Sequence, residues 1–131
     1  MADLSLSLKK TIDADGVRKL LEQSDWGQGR TTTQIQQQIH SSDIVFSVWE
    51  GTKMVAFARA LTDYSYVVSI WDFIVDTKQQ GKGVGSRLLK AILGHPDLIG
   101  VKKWTVFTPM NKEFFEGHSF EQSDEAMVRY G

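Results

Sequence analysis

The segment from Val75 to Gly85 holds the residues that could do chemistry, because a buried apolar strand runs there into a glycine-rich turn that opens a helix. Glycines at positions 81, 83 and 85 let backbone N–H groups approach a ligand without obstruction from side chains. These groups converge where the helix dipole is positive, and Lys82 adds a charge. The pattern predicts a site for an anion such as a phosphate, with a tight turn that binds nothing as the alternative.

Two familiar phosphate-binding motifs do not fit this segment. A P-loop needs a lysine followed by Ser or Thr at the end of the run, whereas Lys82 stands between two glycines. The dinucleotide fingerprint needs a third glycine where Ser86 stands, since Gly85 comes one position early. The phosphate would therefore belong to another kind of ligand.

The spacing resembles a third family, the GNAT superfamily of acyl-CoA N-acyltransferases. Its signature V-x-x-x-x-[QR]-x-x-G-x-[GA] is matched by Val75, Gln80, Gly83 and Gly85. The resemblance extends over nearly the whole chain and is to small bacterial single-domain members. It includes Trp26 with Arg30, the segments 57–63 and 70–75, and the segment 113–120 in place of the family's closing L-Y-x-x-x-G-F.

This resemblance implies an α/β (α+β) fold with a mixed, mostly antiparallel sheet whose fourth and fifth strands splay apart, flanked by about four helices. The pantetheine arm of acetyl-CoA would lie in the gap, paired with the backbone of Phe73 and Val75. Amides from Gln80 to Gly85 would hold the pyrophosphate, and Thr108 would contact the coenzyme from the end of the fifth strand. The implied coenzyme-binding residues are Phe73, Val75, Gln80, Gly81, Lys82, Gly83, Val84, Gly85, Thr108 and Phe115.

The implied reaction moves an acetyl group from acetyl-CoA, a co-substrate, to a primary amine of a small molecule or peptide by direct attack in a ternary complex. A backbone N–H near Phe73 would stabilise the oxyanion of the tetrahedral intermediate. A covalent acyl-enzyme is not expected, because the chain has no cysteine and no serine in a nucleophile-elbow setting.

The chain departs from the family at the proton source for the leaving thiolate. Where relatives commonly have a tyrosine, this sequence has Phe115, which has no proton to give, and Ser119 replaces the following glycine. Three interpretations remain open. In the first, solvent supplies the proton at modest energetic cost, since the pKa of a thiol is near ~8.5. In the second, another group such as Tyr64, Tyr66 or His118 supplies it. In the third, the domain binds acyl-CoA as a non-catalytic sensor.

Asp72 is a further catalytic candidate, flanked by Trp71 and Phe73 in the predicted fourth strand. Strict alternation sends its side chain to the face opposite both neighbours. There it would accept a proton from the amine or anchor a cationic substrate, or it would simply be satisfied by a neighbouring arginine or the backbone. Arg59 and Asp63 are predicted to form a structural pair with each other.

The acceptor pocket is predicted from loop residues. Tyr64, a catalytic candidate, and Tyr66, a substrate-binding candidate, lie between the third and fourth strands, although such aromatic residues often only close a hairpin. Trp26 and Arg30 lie between the first two helices and would roof the pocket. An anion-binding Arg30 would suit an amino acid or similar acceptor, whereas a solvated surface arginine is the simpler alternative.

Composition narrows the class of partner. Fifteen Lys plus Arg against sixteen Asp plus Glu give a formal charge of -1, which argues against nucleic acid or an anionic membrane as partner. The three histidines have no ligand spacing and there is no cysteine, so no metal is expected. A start without the order of a signal peptide predicts a cytoplasmic protein. Exposed terminal strands in such domains often pair, so a homodimer is a further expectation.

The elements that must position these residues follow from apolar periodicity, with no repeat or linker in 131 residues and thus a single domain over 1–131. Alternating leucines predict a half-buried first strand, and Asp13 a helix cap. Further strands are predicted at 44–49, 54–61, 67–75 and 104–107. Helices are predicted after Asp13, after Thr33 to about Ser41, from Val84 to Leu93 and over 110–116, with a terminal hairpin over 120–130.

Overall fold

The computed structural model describes residues 3–108 and 111–131, and its centre is a five-stranded sheet. The strands follow one another across the sheet in chain order. Neighbouring strands are antiparallel except for the fourth and fifth, which are parallel. The mixed, mostly antiparallel sheet predicted from the sequence is confirmed. The strands are β1 (Leu4–Ser7), β2 (Ile44–Glu50), β3 (Lys53–Thr62), β4 (Val67–Val75) and β5 (Lys103–Val106).

In the described part of the chain four α-helices flank this sheet, and the first two begin at residues whose side chains cap them. The Asp13 carboxylate accepts the N–H of Asp15 and caps the first helix. Thr31 and Gln34 form a reciprocal capping box at the second. The third helix joins β4 to β5, because a parallel pair needs a long crossover. The helices are α1 (Ala14–Leu21), α2 (Thr32–Ser41), α3 (Val84–Leu93) and α4 (Lys112–Glu116).

The sheet separates two apolar cores. Helices α1 and α2 cover one face, where Phe57 of β3 and Ile74 of β4 are buried with them. Helix α3 covers the other face together with Phe115 of α4. Strand β3 lies between both cores, and every residue from position 54 to 60 except Arg59 is buried. A polar side chain at Arg59 therefore needs a partner close by.

The predicted terminal hairpin is wrong. Residues 117–131 contain no strand, and Met127 and Tyr130 are 98% and 88% exposed. A hairpin is marginal unless its apolar side chains cover a surface, and these side chains face solvent. The half-buried first strand is also only partly correct, because Leu6 is 41% exposed. The last helix starts at Lys112, while Met110, where the sequence predicted its start, lies outside the described residues.

None of the helices in the described part of the chain is both long and apolar enough to cross a membrane. Over residues 3–108 and 111–131, no three acidic or histidine side chains are grouped so that they could hold a metal ion.

Candidate functional site

The loop after β4 is held by Asp76, whose buried carboxylate accepts the N–H of Lys78 at 3.0 Å. Lys53 Nζ lies 3.4 Å from the same carboxylate. Burial raises the pKa of Asp76, but the hydrogen bonds from the Lys78 N–H and from Lys53 outweigh it, so the pKa lies below its usual value. A charged Asp76 thus fixes the start of the glycine-rich turn.

Gly81 and Gly83 both have φ of +81°, the left-handed conformation that favours glycine. A Cβ atom at either position would meet nothing within 4 Å. Gly83 is the N-cap of α3 and makes no side-chain cap, so the first N–H groups of the helix lie beside open space. The glycine spacing correctly predicted a turn that leaves backbone N–H groups beside open space, whereas anion binding there stays a prediction.

Gly85 has a different role from the other two glycines. A Cβ atom there would lie 3.4 Å from the Phe114 ring and 3.6 Å from Val75 Cγ2. The absence of a side chain lets α3 start close to both β4 and α4. This glycine packs elements together, whereas Gly81 and Gly83 leave space.

Strand β4 has an open edge along its second half. Its pairing with β5 extends from Val67 opposite Lys103 to Ile70 opposite Val106 and then stops. The segment from Trp71 to Val75 continues to pair with β3 on its other side. The fourth and fifth strands are therefore splayed, which the family resemblance implied.

A β-bulge decides which backbone groups face this gap. Two β4 residues, Asp72 and Phe73, lie opposite the single residue Ala58 of β3. Asp72 has φ of +54°, a conformation that aspartate tolerates better than most residues. The extra residue reverses the alternation of the strand from that point on.

Hydrogen bonds on either side of the bulge show the reversal. Before it, the Val67 carbonyl accepts from Thr62 of β3 and the Val68 carbonyl accepts from Thr105 of β5. After it, the Asp76 N–H donates to the Val55 carbonyl of β3 at 2.8 Å. Alternation back from Asp76 then directs the N–H and C=O of residues 73 and 75 toward the gap.

Aromatic rings cover the gap from the α3 face. The ring of Phe73 lies 5.7 Å from that of Phe114 and 5.4 Å from that of Phe115. Phe115 is 4% exposed and its ring also contacts the ring of Phe120. The ring centroids of His118 and Phe114 are 5.0 Å apart. The departure from the family's tyrosine thus lies in a dry aromatic cluster next to Phe73.

The opposite face of the bulge carries a buried ion cluster formed by Arg30, Arg59 and Asp72. Arg30 donates to both Asp72 oxygens, at 2.6 and 2.8 Å. Arg59 Nε donates to Oδ2 at 2.7 Å. The side chain of Asp72 is 4% exposed, and those of Arg59 and Arg30 are 13% and 23% exposed. This cluster ties the α1–α2 loop and β3 to the bulge of β4.

The predicted pair of Arg59 with Asp63 is wrong. Asp63 instead accepts the backbone N–H groups of Ser65, Tyr66 and Val67, which shapes the loop before β4. Four strand residues span roughly 13 Å, and Asp63 lies beyond the end of β3. Arg59 therefore binds the carboxylate of Asp72, which lies in the neighbouring strand β4.

Asp72 is poorly suited to act as a base. Burial raises the pKa of Asp72, but the hydrogen bonds from Arg30 and Arg59 lower it more, so the pKa lies below its usual value. The carboxyl group therefore stays ionised. Both of its oxygens are occupied by guanidinium groups. The prediction that the Asp72 side chain lies on the sheet face opposite both Trp71 and Phe73 is also wrong. Because of the bulge, Asp72 lies on the α1/α2 face together with Trp71, which is paired with Arg59.

Trp71 and Phe107 mark the place where β4 and β5 separate. Their rings are stacked at 4.9 Å, one residue beyond the last paired positions of the two strands. The indole Nε1 of Trp71 is buried and has no hydrogen-bond partner among the described residues. An orphaned donor of this kind is rare in a folded protein and calls for an explanation.

The two tyrosines predicted for the site lie away from the Trp71–Phe107 stack, whereas Thr108 directly follows Phe107. Tyr64 and Tyr66 precede β4 at its far end, roughly 20 Å from Phe73 along the strand, and both are exposed. Trp26 lies in the α1–α2 loop and is 36% exposed. Thr108 lines a cavity of about 920 Å³ together with residues of β5, α4 and the terminal tail.

The chain matches the family model described as the acetyltransferase (GNAT) family over residues 14–116. This match covers most of the sequence, including the bulge, the glycine turn and α4. The chain belongs to the GNAT acetyltransferase family. A GNAT protein uses acetyl-CoA as acetyl donor, and the open β4 edge and the glycine turn are where this chain could hold it.

Solved structures of GNAT proteins agree with this assignment. An acetyltransferase assigned to the GNAT family from Xanthomonas campestris is 25% identical, with a TM-score of 0.89 over 100% of this chain and 95% of that one. Two others share the fold at 17% identity. They are glucosamine-6-phosphate N-acetyltransferase from Arabidopsis thaliana, with a TM-score of 0.77 and 98% of both chains covered, and AAC(6')-Iy in complex with the bisubstrate analogue CoA-S-monomethyl-acetylneamine, with a TM-score of 0.74 and 99% of both chains covered.

Curated relatives are similar over part of their length. An N-acetyltransferase of Pyropia yezoensis is 26% identical over 70% of this chain and 54% of its own. A histone acetyltransferase of Glycine max is 28% identical over 60% of this chain and 34% of its own. The chain thus spans about half or less of the length of these relatives.

Sequence reasoning missed the Arg30–Asp72–Arg59 cluster as a unit, the Trp71–Phe107 stack and the contact of Phe114 with the glycine turn. Charged residues inside apolar strands were the one available signal for the cluster, since an arginine within β3 must find a partner. Nothing in the local sequence indicated the stack, because its two members lie on strands far apart in the chain.

Proposed function

We propose that this chain transfers an acetyl group from acetyl-CoA to a primary amine by direct attack. The observation that carries the proposal is the open edge of β4 beyond Ile70, which runs directly into the glycine turn. Backbone groups of Phe73 and Val75 would pair with the pantetheine arm. The N–H groups of residues 81 and 83 and of the first turn of α3 would hold the pyrophosphate beside the open space at the two glycines, whereas the Lys82 N–H donates to the Gln79 carbonyl at 3.3 Å.

In the proposed reaction the neutral amine forms a bond from its nitrogen to the thioester carbonyl carbon. The oxygen of the tetrahedral intermediate accepts a hydrogen bond from the Phe73 N–H, which faces the gap because of the bulge. The C–S bond then breaks, the sulfur takes up a proton, and the nitrogen releases one. Asp72 is a positioning residue in this scheme, since it holds the bulge and does not accept the proton.

The proton for the sulfur comes from solvent or from His118 in this proposal. Phe115 has no acidic proton, and Tyr64 and Tyr66 lie at the far end of β4. His118 lies beside Phe114, and its Nδ1 is 3.0 Å from the Phe114 carbonyl oxygen. Since a carbonyl only accepts, Nδ1 carries the proton of the neutral ring, and Nε2 can pass to the sulfur only a proton that it first takes from solvent. Slow protonation of the sulfur at neutral pH is tolerable because a thiolate is a good leaving group.

Binding of the coenzyme is tested by calorimetry with CoA on the wild type, Gly83→Glu and Gly51→Glu. Both substitutions put a side chain at positive φ into open space, so their cost to folding is similar. Only Gly83→Glu places a carboxylate at the N-terminus of α3, and we expect its affinity for CoA to fall about tenfold or more. Equal binding by all three proteins, or no binding by the wild type, contradicts the proposal.

A second candidate is a non-catalytic acyl-CoA sensor, which the buried Phe115 favours. Release of thiol from acetyl-CoA over a panel of primary amines separates the two functions, with wild type and Phe115→Tyr compared. Turnover by the wild type eliminates the sensor. Turnover that is present only in Phe115→Tyr supports it.

The fold does not select the acceptor. Neighbours that share it are named for a phosphorylated amino sugar and for an acetylneamine analogue, and a relative is named for histone. Acceptor choice must therefore come from side chains particular to this chain.

A further inference from the structure

The ion cluster on the α1/α2 face has more positive than negative charge. Arg30 and Arg59 are both salt-bridged to Asp72, and no other carboxylate in the described part of the chain forms a salt bridge with either. Two cations and one anion leave a net charge of +1, with the three side chains between 4% and 23% exposed. Excess positive charge that is largely shielded from water favours the binding of an anion.

The two guanidinium groups also have unused donors. Asp72 and Gln38 occupy Nη1 of Arg30, and Asp72 occupies one N–H of Nη2. Arg59 uses Nε for Asp72 and contacts Ser42 through Nη1 at 3.4 Å. Within residues 3–108 and 111–131, Nε of Arg30 and Nη2 of Arg59 have no acceptor. These are donors of the kind that bind a carboxylate or phosphate.

Trp71 provides an independent third donor on the same face. Its Nε1–H reaches neither solvent nor an acceptor among the described residues. Trp71 is paired with Arg59 across the sheet and precedes Asp72, and its ring stacks on Phe107, which is 46% exposed. A buried indole N–H without a partner is a cost that an incoming acceptor group would remove.

We propose that the amine acceptor carries an acidic group, a carboxylate or a phosphate, and that this group binds to Arg30, Arg59 and the Trp71 N–H. The inference rests on the proposed acetyl transfer. Asp72 directly precedes Phe73, so an anion at the cluster lies one residue from the backbone N–H assigned to the oxyanion. A short anionic amine can therefore bind the cluster while its nitrogen faces the thioester.

Acceptor pairs that differ only in the acidic group test the specificity. β-Alanine is compared with β-alaninamide, and 2-aminoethyl phosphate with ethanolamine, by kcat/KM in the thiol-release assay. We expect the anionic member of at least one pair to be favoured about tenfold to hundredfold, the range for hydrogen bonds to charged groups. Which pair responds distinguishes carboxylate from phosphate. Equal or greater activity with both neutral amines overturns the inference and leaves acetyl transfer intact.

Binding is measured without turnover through the indole N–H resonance of Trp71. The chain has four tryptophans, and Trp71→Phe assigns the resonance by its loss. With CoA present, saturable addition of β-alanine or 2-aminoethyl phosphate should shift this resonance, whereas the two neutral amines should not. If neither anion shifts it, the inference is wrong, whatever the enzyme assay gives. A shift without turnover by any acceptor supports the anion site and counts against the proposed catalysis.

A substitution separates the donor from the stacked ring. Trp71→Phe keeps an aromatic ring against Phe107 but removes the N–H together with part of the indole, so the control must lose the same volume. We expect the KM for the favoured anionic amine to rise about tenfold while the KM for acetyl-CoA is unchanged. Trp49→Phe is the control, because Trp49 Nε1 donates to Ser47 in β2, away from the gap. Equal KM values for the anionic amine in both variants count against a role for the Trp71 N–H.

Discussion

Asp72 determines the local geometry of the proposed site through three properties at once. It lies at positive φ, it is buried, and both of its oxygens are held by arginines. The bulge at this residue turns the Phe73 N–H toward the gap. Asp72, a candidate base from the sequence, is therefore a positioning residue in the proposed reaction, because hydrogen bonds from two arginines keep its pKa low.

The substitution Asp72→Asn removes the charge and keeps both the shape and the tolerance of left-handed φ. Two partly buried arginines would then lack their counter-charge, so we expect the free energy of unfolding to fall by about 3 kcal/mol. We also expect kcat to fall while the KM for acetyl-CoA holds. Denaturant titration and steady-state kinetics measure both effects.

The control for this change is Asp15→Asn, at an exposed carboxylate paired with Arg18 and Lys19 on α1. Screened surface pairs add little, so its unfolding midpoint should stay near that of the wild type. If the two variants behave alike, the cluster does not stabilise the bulge.

Ser119 occupies the position of the family's glycine and has φ of +71°. The Phe120 N–H donates to the Phe115 carbonyl directly after it, so the turn is made despite the unfavourable residue. We expect Ser119→Gly to raise the free energy of unfolding by about 0.5–1 kcal/mol, because the conformation is unstrained for glycine. Ser41→Gly in α2 is the control and should lower it. A lowered midpoint for Ser119→Gly contradicts the strain argument.

At the scale of elements, the site is assembled from chain segments with separate structural roles. Strand β4 supplies the open edge, the turn into α3 supplies backbone donors, and α4 closes the gap with aromatic rings. The start of α2 matters as well, because Arg30 directly precedes the capping box of Thr31 and Gln34. The ion cluster therefore adjoins the capped start of α2.

The cap is tested by Thr31→Ala, with Thr33→Ala inside the same helix as control. Loss of the capping hydroxyl leaves the Gln34 N–H without its side-chain partner, and we expect about 1 kcal/mol less unfolding free energy. Thr33 lies within α2 and makes no cap, so alanine there should be neutral or stabilising. Thermal unfolding followed by circular dichroism compares them. Equal midpoints in the two variants would show that the cap adds nothing.

At the scale of the whole molecule, one sheet separates two apolar cores and holds a buried charge cluster on one face of its central part. The free energy of unfolding of such a molecule should depend on pH through its buried carboxylates. Asp72 has a lowered pKa in the folded state, where hydrogen bonds from two arginines outweigh burial. Asp76 has the same direction of shift.

A depressed folded pKa gives stability that is complete above the unfolded value near ~3.9 and is lost as the pH falls through the folded pKa. We therefore expect the unfolding free energy to drop steadily below about pH 4. The slope should be shallower in Asp72→Asn, because that position no longer takes up a proton on unfolding. Urea titrations at several pH values measure it, and identical slopes would exclude Asp72 as a source of acid sensitivity.

Much of the architecture could be predicted from the sequence, because local patterns decide it. Apolar periodicity predicted β2 to β5 and all four helices to within a few residues. Glycine spacing predicted the turn at positions 81–85, since only glycine readily takes the positive φ found at Gly81 and Gly83. The terminal hairpin was predicted wrongly, because its apolar residues needed a surface that the fold does not offer them.

The sequence by itself determined the elements, the glycine turn and the family, because backbone preferences and short spacings are local. Only the tertiary structure decided that Arg59 and Arg30 meet Asp72, that a bulge reverses the alternation of β4, and that Trp71 stacks on Phe107. These contacts join residues up to 42 positions apart. They depend on strand register and burial, which pair side chains according to where strands lie in the sheet and not by their spacing along the chain.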